Sequence, residues 1–411
     1  MNHEDEIKNN SEVTIKADTT DKVEMKTKNK NDLKEQEQEV KIDNIGDQDK
    51  NKNGLDEKWP EPIVRVQSLA ESNLTTFPDS YIKPPSQRPQ TTTVNYQPEP
   101  DAINIPVVDL DSLFSGNEDD KERVSEACRE FGFFQVINHG VKPELMDAAR
   151  EAWRMFFNLP IEAKEVYSNS PKTYEGYGSR LGVEKGAILD WNDYYFLHFL
   201  PLFLKDLNKW PSLPSNIREL MDEYGEELVK LGERLMKVLS SNLGLKEEQL
   251  QEAFGGEDVG ACMRVNYYPK CPRPELALGL SPHSDPGGIT ILLPDDQVVG
   301  LQVRHGDTWI TVNPLPHAFI IISNSIYKSS EHRVIVNSQK ERVSLAFFYN
   351  PKSDIPIQPM QQLVSSSNPP LYPPMTFDQY RLFIRTQGPR GKSYVESHVS
   401  PRYTSENVPF S

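Results

Sequence analysis

The sequence predicts an α+β fold in which a helical first part precedes an antiparallel β-sandwich or barrel. Three observations lead to this prediction. Apolar residues recur at helical spacing over residues 143–157 and 215–242. From residue 261 onward, short β-rich runs follow one another with turn residues between them. The first 58 residues contain no Phe, Tyr or Trp, so they contribute little to a core.

The leader, residues 1–58, is predicted to be disordered. It carries 11 Lys and 16 acidic residues, and its small apolar content cannot offset the entropy that ordering would cost. The whole chain has a formal net charge of −16 and shows no sustained basic stripe. This charge distribution argues against nucleic-acid binding.

Membrane insertion and secretion are also not expected. No window approaches the roughly 18 uninterrupted apolar residues that a membrane span needs, and the N-terminus lacks the apolar stretch of a signal peptide. The cysteines Cys128, Cys262 and Cys271 are too few and too irregularly spaced for a disulfide framework or a zinc site. We therefore expect a monomer with reduced thiols in the cytoplasm, with the nucleus as a second location.

Four regions are predicted behind the leader. Residues 59–100 are rich in Pro, Ser and Thr and are expected to form an arm and linker that pack on the body. Residues 101–260 combine helices with strands. Residues 261–360 form the β-rich core, and residues 361–411 form a C-terminal helix and tail.

The individual elements follow from periodicity and from helix and turn signals. Pro143 suits the first turn of a helix that ends before Pro160. The predicted helices cover residues 120–131, 143–159, 215–242 and 376–386. The predicted strands cover residues 105–110, 133–137, 263–268, 289–293, 301–304, 309–312, 319–322, 333–337 and 343–349.

A His-x-Asp step and a distant histidine carry the first chemical signal. His283 and Asp285 share one face of a strand end because side chains alternate along a strand. His332 follows Asp285 by 47 positions and would come from another strand. Two histidines and one carboxylate occupy one face of an octahedral Fe(II) and leave three positions open. Taken alone, the step is more often a turn aspartate that caps a backbone N–H.

Two further pairs at the same spacing favour the metal interpretation. Arg342 and Ser344 share a strand face, where a guanidinium can hold a carboxylate through two hydrogen bonds. Asn266 and Tyr268 form a second pair of this kind. Arg342 in isolation would as readily be a surface ion pair. A metal triad beside a carboxylate clamp suits a 2-oxoglutarate site.

Residues 59–395 resemble the plant 2-oxoglutarate- and Fe(II)-dependent dioxygenases. The matching motifs are Asn266-Tyr-Tyr-Pro-Lys-Cys-Pro272, Ser281-Pro-His-Ser-Asp285, Gly300-Leu-Gln-Val303, Tyr327-Lys-Ser329 with His332-Arg-Val334, and Arg342-Val-Ser344. Within this family the sequence is most similar to the jasmonate-induced oxygenases, which are jasmonic acid hydroxylases. The stretches that carry this closer likeness are Trp59-Pro-Glu-Pro-Ile-Val-Arg-Val66, Tyr174-Glu-Gly-Tyr-Gly-Ser-Arg-Leu-Gly-Val183 and Tyr372-Pro-Pro-Met-Thr-Phe-Asp-Gln-Tyr-Arg381.

The resemblance implies a double-stranded β-helix (jelly-roll) core flanked by N-terminal helices and a C-terminal helix. It also implies that His283, Asp285 and His332 ligate Fe(II). Arg342 and Ser344, assisted by Asn266 and Tyr268, would hold the distal carboxylate of the cosubstrate 2-oxoglutarate, and ascorbate would serve as reductant. The implied reaction consumes dioxygen and hydroxylates jasmonic acid to 12-hydroxyjasmonate, which would damp jasmonate-dependent defence.

A small apolar acid needs a cation for its carboxylate and apolar walls for its ring. Arg264 lies two residues before Asn266, so the two share a strand face, and Arg381 and Arg385 are neighbours on the last helix. The resemblance assigns these three arginines to the substrate carboxylate. The aromatic wall candidates are Phe196, Phe348 and Phe377. Read without the resemblance, helix arginines are usually solvated and phenylalanines usually belong to the core.

One departure from the family pattern bears on the third metal ligand. The family carries an Asn-x-Gly-Asp step after Pro-His-Ala-Phe, whereas Pro316-His-Ala-Phe-Ile-Ile-Ile-Ser-Asn324 runs straight through, so roughly eight residues, more than an average strand, are missing. Either residues 319–323 form a shortened strand, or His332 is misplaced. An error in the gene model would be a third explanation. The alternatives in function are a related oxygenase of flavonoid or other specialised metabolism, and a non-catalytic binding protein.

Overall fold

The structure, a computed structural model, describes a large part of the 411-residue chain, and all of that part belongs to one compact unit, Leu55–Ser411. The side chains of residue 323 and of residues 383–387 are not described. The predicted leader, residues 1–58, lies outside the described residues. The described ranges are 62–72, 74–89, 105–171, 174–179, 186–323, 330–366, 369–370 and 374–387.

Eight α-helices occur in these ranges. They are α1 Val66–Glu71, α2 Leu110–Phe114, α3 Glu118–Glu130, α4 Pro143–Phe157, α5 Ile161–Glu165, α6 Ile217–Asn242, α7 Gln249–Ala253 and α8 Phe377–Gln387. The four predicted helices correspond to α3, α4, α6 and α8 and differ by only a few residues at their ends. Helix α4 begins with Pro143 because its fixed φ fits the first turn, where an N–H is not needed. No helix among the described ranges is both long and apolar enough to span a bilayer.

Fourteen strands occur in the described ranges. They are β1 Val107–Asp109, β2 Phe133–Ile137, β3 Gly176–Gly178, β4 Asp193–Leu200, β5 Gly260–Tyr268, β6 Leu280–His283, β7 Ile289–Leu293, β8 Leu301–His305, β9 Thr308–Thr311, β10 Phe319–Ser323, β11 His332–Val334, β12 Arg342–Asn350, β13 Pro356–Ile357 and β14 Met375–Thr376. Twelve of them form two sheets. The major sheet has the order β1-β2-β10-β7-β12-β5-β4-β3, and the minor sheet has the order β6-β11-β8-β9.

The major sheet extends further toward the N-terminus than the sequence predicts. Strands β1 to β4 precede residue 261, yet they continue the same sheet on both sides of the later strands. Strand β4 has no clean alternation of polar and apolar residues, and five of its eight side chains are buried. This strand was missed because both of its faces are covered, which removes the period-two signal.

Two apolar cores lie on opposite faces of the major sheet. On one face, Tyr195, Val265 and Leu345 stand side by side and pack in a large cluster with residues of α3, α4 and α6. On the other face, Leu292 and Ala346 belong to a smaller cluster that includes residues of the minor sheet. The neighbouring polar side chains of that second face form the site described below.

Residues 319–323, where the sequence is shorter than the family pattern, form the short strand β10. Strand β10 pairs with β2 on one side and with β7 on the other, so residues 319–323 fill an internal position of the major sheet. After residues 324–329, which lie outside the described ranges, the chain resumes in the minor sheet, where His332 pairs with His283. Residues 319–323 therefore do form a strand, and His332 lies opposite His283. An error in the gene model stays an alternative explanation for the shorter sequence.

Candidate active site

His283, Asp285 and His332 meet where two strands of the minor sheet run side by side. The register of β11 against β6 places His332 opposite His283, with ring centroids 4.2 Å apart. Asp285 follows β6, and its Oδ1 lies 3.5 Å from His283 Nε2 and 3.7 Å from His332 Nε2. One ligand atom from each residue falls within a group 4.8 Å across. This is the donor set that the spacing predicts.

The second nitrogen of each histidine is fixed by a backbone carbonyl. His283 Nδ1 lies 2.8 Å from the carbonyl oxygen of Ser281, and His332 Nδ1 lies 3.2 Å from that of Ser330. A carbonyl oxygen can only accept a hydrogen bond, so each Nδ1 carries the proton when its ring is neutral. Both Nε2 lone pairs are then directed toward the carboxylate, as a shared metal ion requires.

Electrostatics favour a cation between the three groups. Burial and the neighbouring His283 lower the pKa of His332 to about 4, which leaves this ring neutral and able to coordinate near pH 7. Burial alone would raise the pKa of Asp285, but the two histidines and a hydroxyl outweigh it and hold the pKa well below its usual range. The carboxylate is therefore ionised. Two imidazoles and one carboxylate with open positions suit non-haem Fe(II).

Thr290 supports the carboxylate and was missed by the sequence interpretation. Its hydroxyl donates to Asp285 Oδ2 at 2.7 Å, and the side chain is 3% exposed. Because the bond occupies one oxygen, Oδ1 stays directed at the histidines. The only signal in the sequence was its position in the predicted strand 289–293, which does not reveal which loop residue it faces.

Replacing Thr290 with Val should weaken metal binding by about tenfold, because groups of this kind orient a ligand without touching the metal. The two side chains have nearly the same shape, so the fold should change little. Titration with Co(II) as a probe for Fe(II) measures the effect, and Thr308→Val at an exposed position is the matched control. Equal Co(II) affinities for wild type and Thr290→Val would contradict the role given to this hydroxyl.

A buried guanidinium lies on the same face of the major sheet. Arg342 is 4% exposed, and its Nη1 donates to Ser344 Oγ at 3.2 Å. Strand pairing puts Tyr268 opposite Arg342 and Asn266 opposite Ser344, so the four predicted cosubstrate residues are adjacent. Within the described part of the chain, no carboxylate forms an ion pair with Arg342. A buried cation without a counterion is a suitable site for an anionic ligand.

The loop between β7 and β8 holds this guanidinium in place. Arg342 Nε donates to the carbonyl of Val298 at 3.2 Å, and the buried Asp295 accepts from the backbone of Val343 and from Arg154 on α4. Gly300 packs directly against the arginine, where a Cβ would lie 3.0 Å from Cδ and 3.1 Å from Nε of Arg342. Close contact with Arg342 therefore explains why the first position of the Gly300-Leu-Gln-Val303 motif is a glycine.

Arg264 lies further along the same face. Its guanidinium stacks 4.0 Å from the ring centre of Tyr194, and its Nε donates to Asn266 Oδ1 at 2.8 Å. The same Asn266 oxygen lies 3.4 Å from Nδ2 of Asn192. Arg264 Nη2 is buried, and no described residue accepts a hydrogen bond from it. Burial lowers the pKa of this arginine, with nearby Tyr194 opposing the shift.

The aromatic and helical candidates are brought together only in part. Phe196 stands beside Arg264 in the β4–β5 register, and Phe348 stands beside Thr290. Phe377 is buried at the start of α8. Arg381 donates to Asp378 on its own helix at 2.7 Å. The structure does not describe the side chain of Arg385. That this arginine, Arg264 and Arg381 converge on one site therefore stays a prediction.

Comparison with known proteins agrees with this arrangement. Residues 259–351 match the family described as the 2OG-Fe(II) oxygenase superfamily, and residues 105–213 match the N-terminal region of a non-haem dioxygenase in morphine synthesis. Jasmonate-induced oxygenase 1 of Arabidopsis thaliana is 82% identical over 395 residues, which cover 92% of this chain and 99% of the relative. Jasmonate-induced oxygenase 2 of the same plant is 75% identical over 363 residues, or 85% and 97% of the two chains.

A crystal structure of JOX2 in complex with 2OG, Fe and JA shares 73% identity with this chain and superposes with a TM-score of 0.78. The match covers 84% of this chain and all of the crystallised one. The relatives are thus matched over almost their whole length, and the fold agrees with that of the crystallised relative. The chain belongs to the 2OG-Fe(II) oxygenase superfamily, in the group of the jasmonate-induced oxygenases, and is a dioxygenase that uses Fe(II) and 2-oxoglutarate.

Proposed function

We propose that this dioxygenase hydroxylates jasmonic acid to 12-hydroxyjasmonate and so lowers the active hormone and damps jasmonate-dependent defence. The observation that carries the proposal is the 73% identity to JOX2, which was crystallised with JA together with 2OG and Fe. The buried Nη2 atom of Arg264, which has no acceptor among the residues the structure describes, agrees with it, since an acid substrate needs such a group.

The metal is assigned to His283, Asp285 and His332 on the basis of their short separations and directed lone pairs. When bound, Fe(II) and 2-oxoglutarate supply the oxygen-activating chemistry that inserts one oxygen atom into a C–H bond and releases succinate and carbon dioxide. The protein contributes the open coordination positions, the orientation of each ligand and the exclusion of bulk water.

The distal carboxylate of 2-oxoglutarate is assigned to Arg342 and Ser344, with Asn266 and Tyr268 completing the polar wall. The support is that Arg342 is buried with no acidic partner among the described residues, and that its Nη1 and the Ser344 hydroxyl lie side by side. Two neighbouring donor groups, one on each of these side chains, match the two oxygens of a carboxylate.

The substrate carboxylate is assigned to Arg264, which Tyr194 and Asn266 hold by stacking and hydrogen bonding. Phe196 and Phe348 would form apolar walls on the same sheet. Arg381, Arg385 and Phe377 would close the substrate site from helix α8. A carboxylate clamp favours the free acid, although an amino-acid conjugate of jasmonate also ends in a carboxylate.

Turnover with defined substrates tests the proposal. Full-length protein with Fe(II), ascorbate, 2-oxoglutarate and jasmonic acid should release succinate and hydroxylated jasmonate in equal amounts. A jasmonate–amino acid conjugate, a flavanone and a gibberellin precursor are the comparison substrates. Turnover of a flavanone or a gibberellin precursor without turnover of jasmonic acid would refute the substrate while leaving the chemistry intact.

Replacing Arg264 with Leu should raise KM for jasmonic acid by about 30-fold or more, since truncating one partner of a buried charge pair costs about 2 kcal/mol or more. The slow consumption of 2-oxoglutarate without substrate should persist, because Arg342 is untouched. Arg273→Leu, at an exposed arginine paired with Glu275, is the matched control. Equal increases in KM for jasmonic acid and for 2-oxoglutarate would show that Arg264 does not act on the substrate alone.

We further propose that the protein acts as a monomer in the cytoplasm, and also in the nucleus, without a membrane or nucleic-acid partner. The acidic net charge of −16 supports the expectation that nucleic acid is not a partner. Light scattering at working concentration and fractionation of plant tissue would measure the two properties.

A further inference from the structure

We infer that Lys83, on the N-terminal arm, is a positioning residue for the metal ligand His283 and acts through Asp190 and Ser281. The inference rests on the ligand set proposed above. The contacts described for Lys83 include neither a ligand atom nor a proposed substrate residue. Its connection to the site is a chain of hydrogen bonds that ends on the His283 ring.

Lys83 forms a buried ion pair at the start of this chain. Its side chain is 2% exposed, and Nζ donates to Asp190 Oδ1 at 2.7 Å and to Ser281 Oγ at 2.9 Å. Its backbone N–H donates to the carbonyl of Leu276 at 2.8 Å. A buried lysine is unfavourable unless it is paired, so this amine is tied to its two acceptors.

Asp190 fixes the backbone of Ser281. Its Oδ2 accepts from the Ser281 N–H at 3.0 Å, and its Oδ1 accepts from the Ser281 hydroxyl at 2.6 Å. The next residue, Trp191, is fully buried against Phe77 and Tyr81 of the arm, with ring centroids 5.1 Å apart in each pair. The arm thus bonds to the Asp190 carboxylate through Lys83 and packs against the neighbouring Trp191.

The β6 strand needs this support because it is irregular. Leu280 pairs with Val334 and His283 with His332, so two residues of β6 stand opposite a single residue of β11. Pro282 has no N–H to donate, and the Ser281 N–H bonds to a side chain instead of the neighbouring strand. The Asp190 carboxylate therefore accepts the backbone hydrogen bond that a neighbouring strand would otherwise accept at Ser281.

The orientation of His283 depends on the same residue, Ser281. The carbonyl that accepts from His283 Nδ1 belongs to Ser281, whose N–H and hydroxyl Asp190 holds. A shift of Ser281 would move the acceptor, and with it both the ring and the direction of the Nε2 lone pair. His332 Nδ1 instead faces the carbonyl of Ser330, whose hydroxyl bonds to the carbonyl of Phe131, so the hydrogen bonds that orient this ring do not include Lys83 or Asp190.

Co(II) titration of the full-length chain tests the inference. Lys83→Met should weaken Co(II) binding by about tenfold, the lower end of the effect of residues that orient metal ligands. Lys164→Met is the matched control, because Lys164 is also 2% exposed and ties the arm to the body through Gln67, yet lies on no path to His283. The control should bind Co(II) as wild type does. Equal losses in the two variants would show that Lys83 acts only by general attachment of the arm.

Proton NMR of the Co(II) form gives a readout that a purely structural role would not produce. Each coordinated histidine has one exchangeable Nδ1 proton with a strongly shifted resonance. Lys83→Met should broaden or shift the signal of His283 and leave that of His332 in place. Unchanged signals for both histidines, together with wild-type affinity, would overturn the inference.

A second variant covers the case in which Lys83→Met does not fold, since that change leaves a buried carboxylate unpaired. The double variant Lys83→Met/Asp190→Asn removes both charges and should show the same loss of Co(II) affinity. Wild-type affinity of the double variant would overturn the inference. If wild type itself binds no stoichiometric Co(II), the proposed ligand set is wrong, whereas normal binding by wild type and variants refutes only the role of Lys83.

Discussion

Replacing His332 with Ala should abolish both succinate release and stoichiometric Co(II) binding. Among the described residues this ring is one of the three proposed donors. Burial and the neighbouring His283 lower its pKa and keep it neutral, whereas the Ser330 carbonyl fixes which nitrogen carries the proton. Two donors on one face, His283 and Asp285, cannot retain the ion in competition with water. Succinate detection and metal titration measure the two effects separately.

The control for this loss is His317→Asn, at a surface histidine paired with Asp147. Asparagine is chosen because His317 has a φ of 52°, a conformation that asparagine tolerates better than alanine. The control should keep wild-type turnover. Turnover by His332→Ala at more than a trace would mean that the shortened strand delivers a different third ligand.

Replacing Arg342 with Met should raise KM for 2-oxoglutarate by about 30-fold or more. The substitution removes the buried guanidinium proposed to bind the distal carboxylate, and such a loss costs about 2 kcal/mol or more. The methionine fills similar space, so Gly300 and Tyr268 keep their neighbours. The effect is measured by varying 2-oxoglutarate at saturating substrate. Co(II) affinity in the absence of 2-oxoglutarate should be unchanged.

Arg342→Lys separates charge from geometry. A lysine retains the positive charge but cannot offer two parallel N–H donors, so KM should rise by less than in Arg342→Met but clearly above wild type. A wild-type KM for Arg342→Met would refute the assignment of the distal carboxylate. A loss of Co(II) binding in that variant would instead indicate that the substitution disturbs the fold.

Much of the fold could be predicted from local periodicity. The bounds of β2 and β7 agree with the sequence prediction, and the amphipathic helices α4 and α6 were placed within a few residues. Strand β6 was expected only as the strand end that carries His283, and its bounds were not predicted because it is short and contains Pro282, a residue that argues against a strand. The pairing of β2 with β10 and of β4 with β5 was also missed, since strand order depends on contacts distant in sequence.

For the candidate site, too, local patterns could be predicted and contacts distant in sequence could not. Pairs two residues apart, such as Arg342 with Ser344, could be predicted because alternation along a strand is a local property. Thr290, Tyr194 and Asp190 could not, because their partners are set by strand register and by an irregular strand. No spacing in the sequence relates Lys83 to His283.

The alternation along β5 has a consequence for how such enzymes diversify. Met263 and Val265 face the helical core, whereas Arg264 and Asn266 face the site. The residues proposed to bind the ligands and the residues that stabilise the fold therefore alternate along one strand. Mutations at one set can change the accepted molecule while the other set keeps the scaffold intact, so new specificities are accessible by single steps that leave the protein folded.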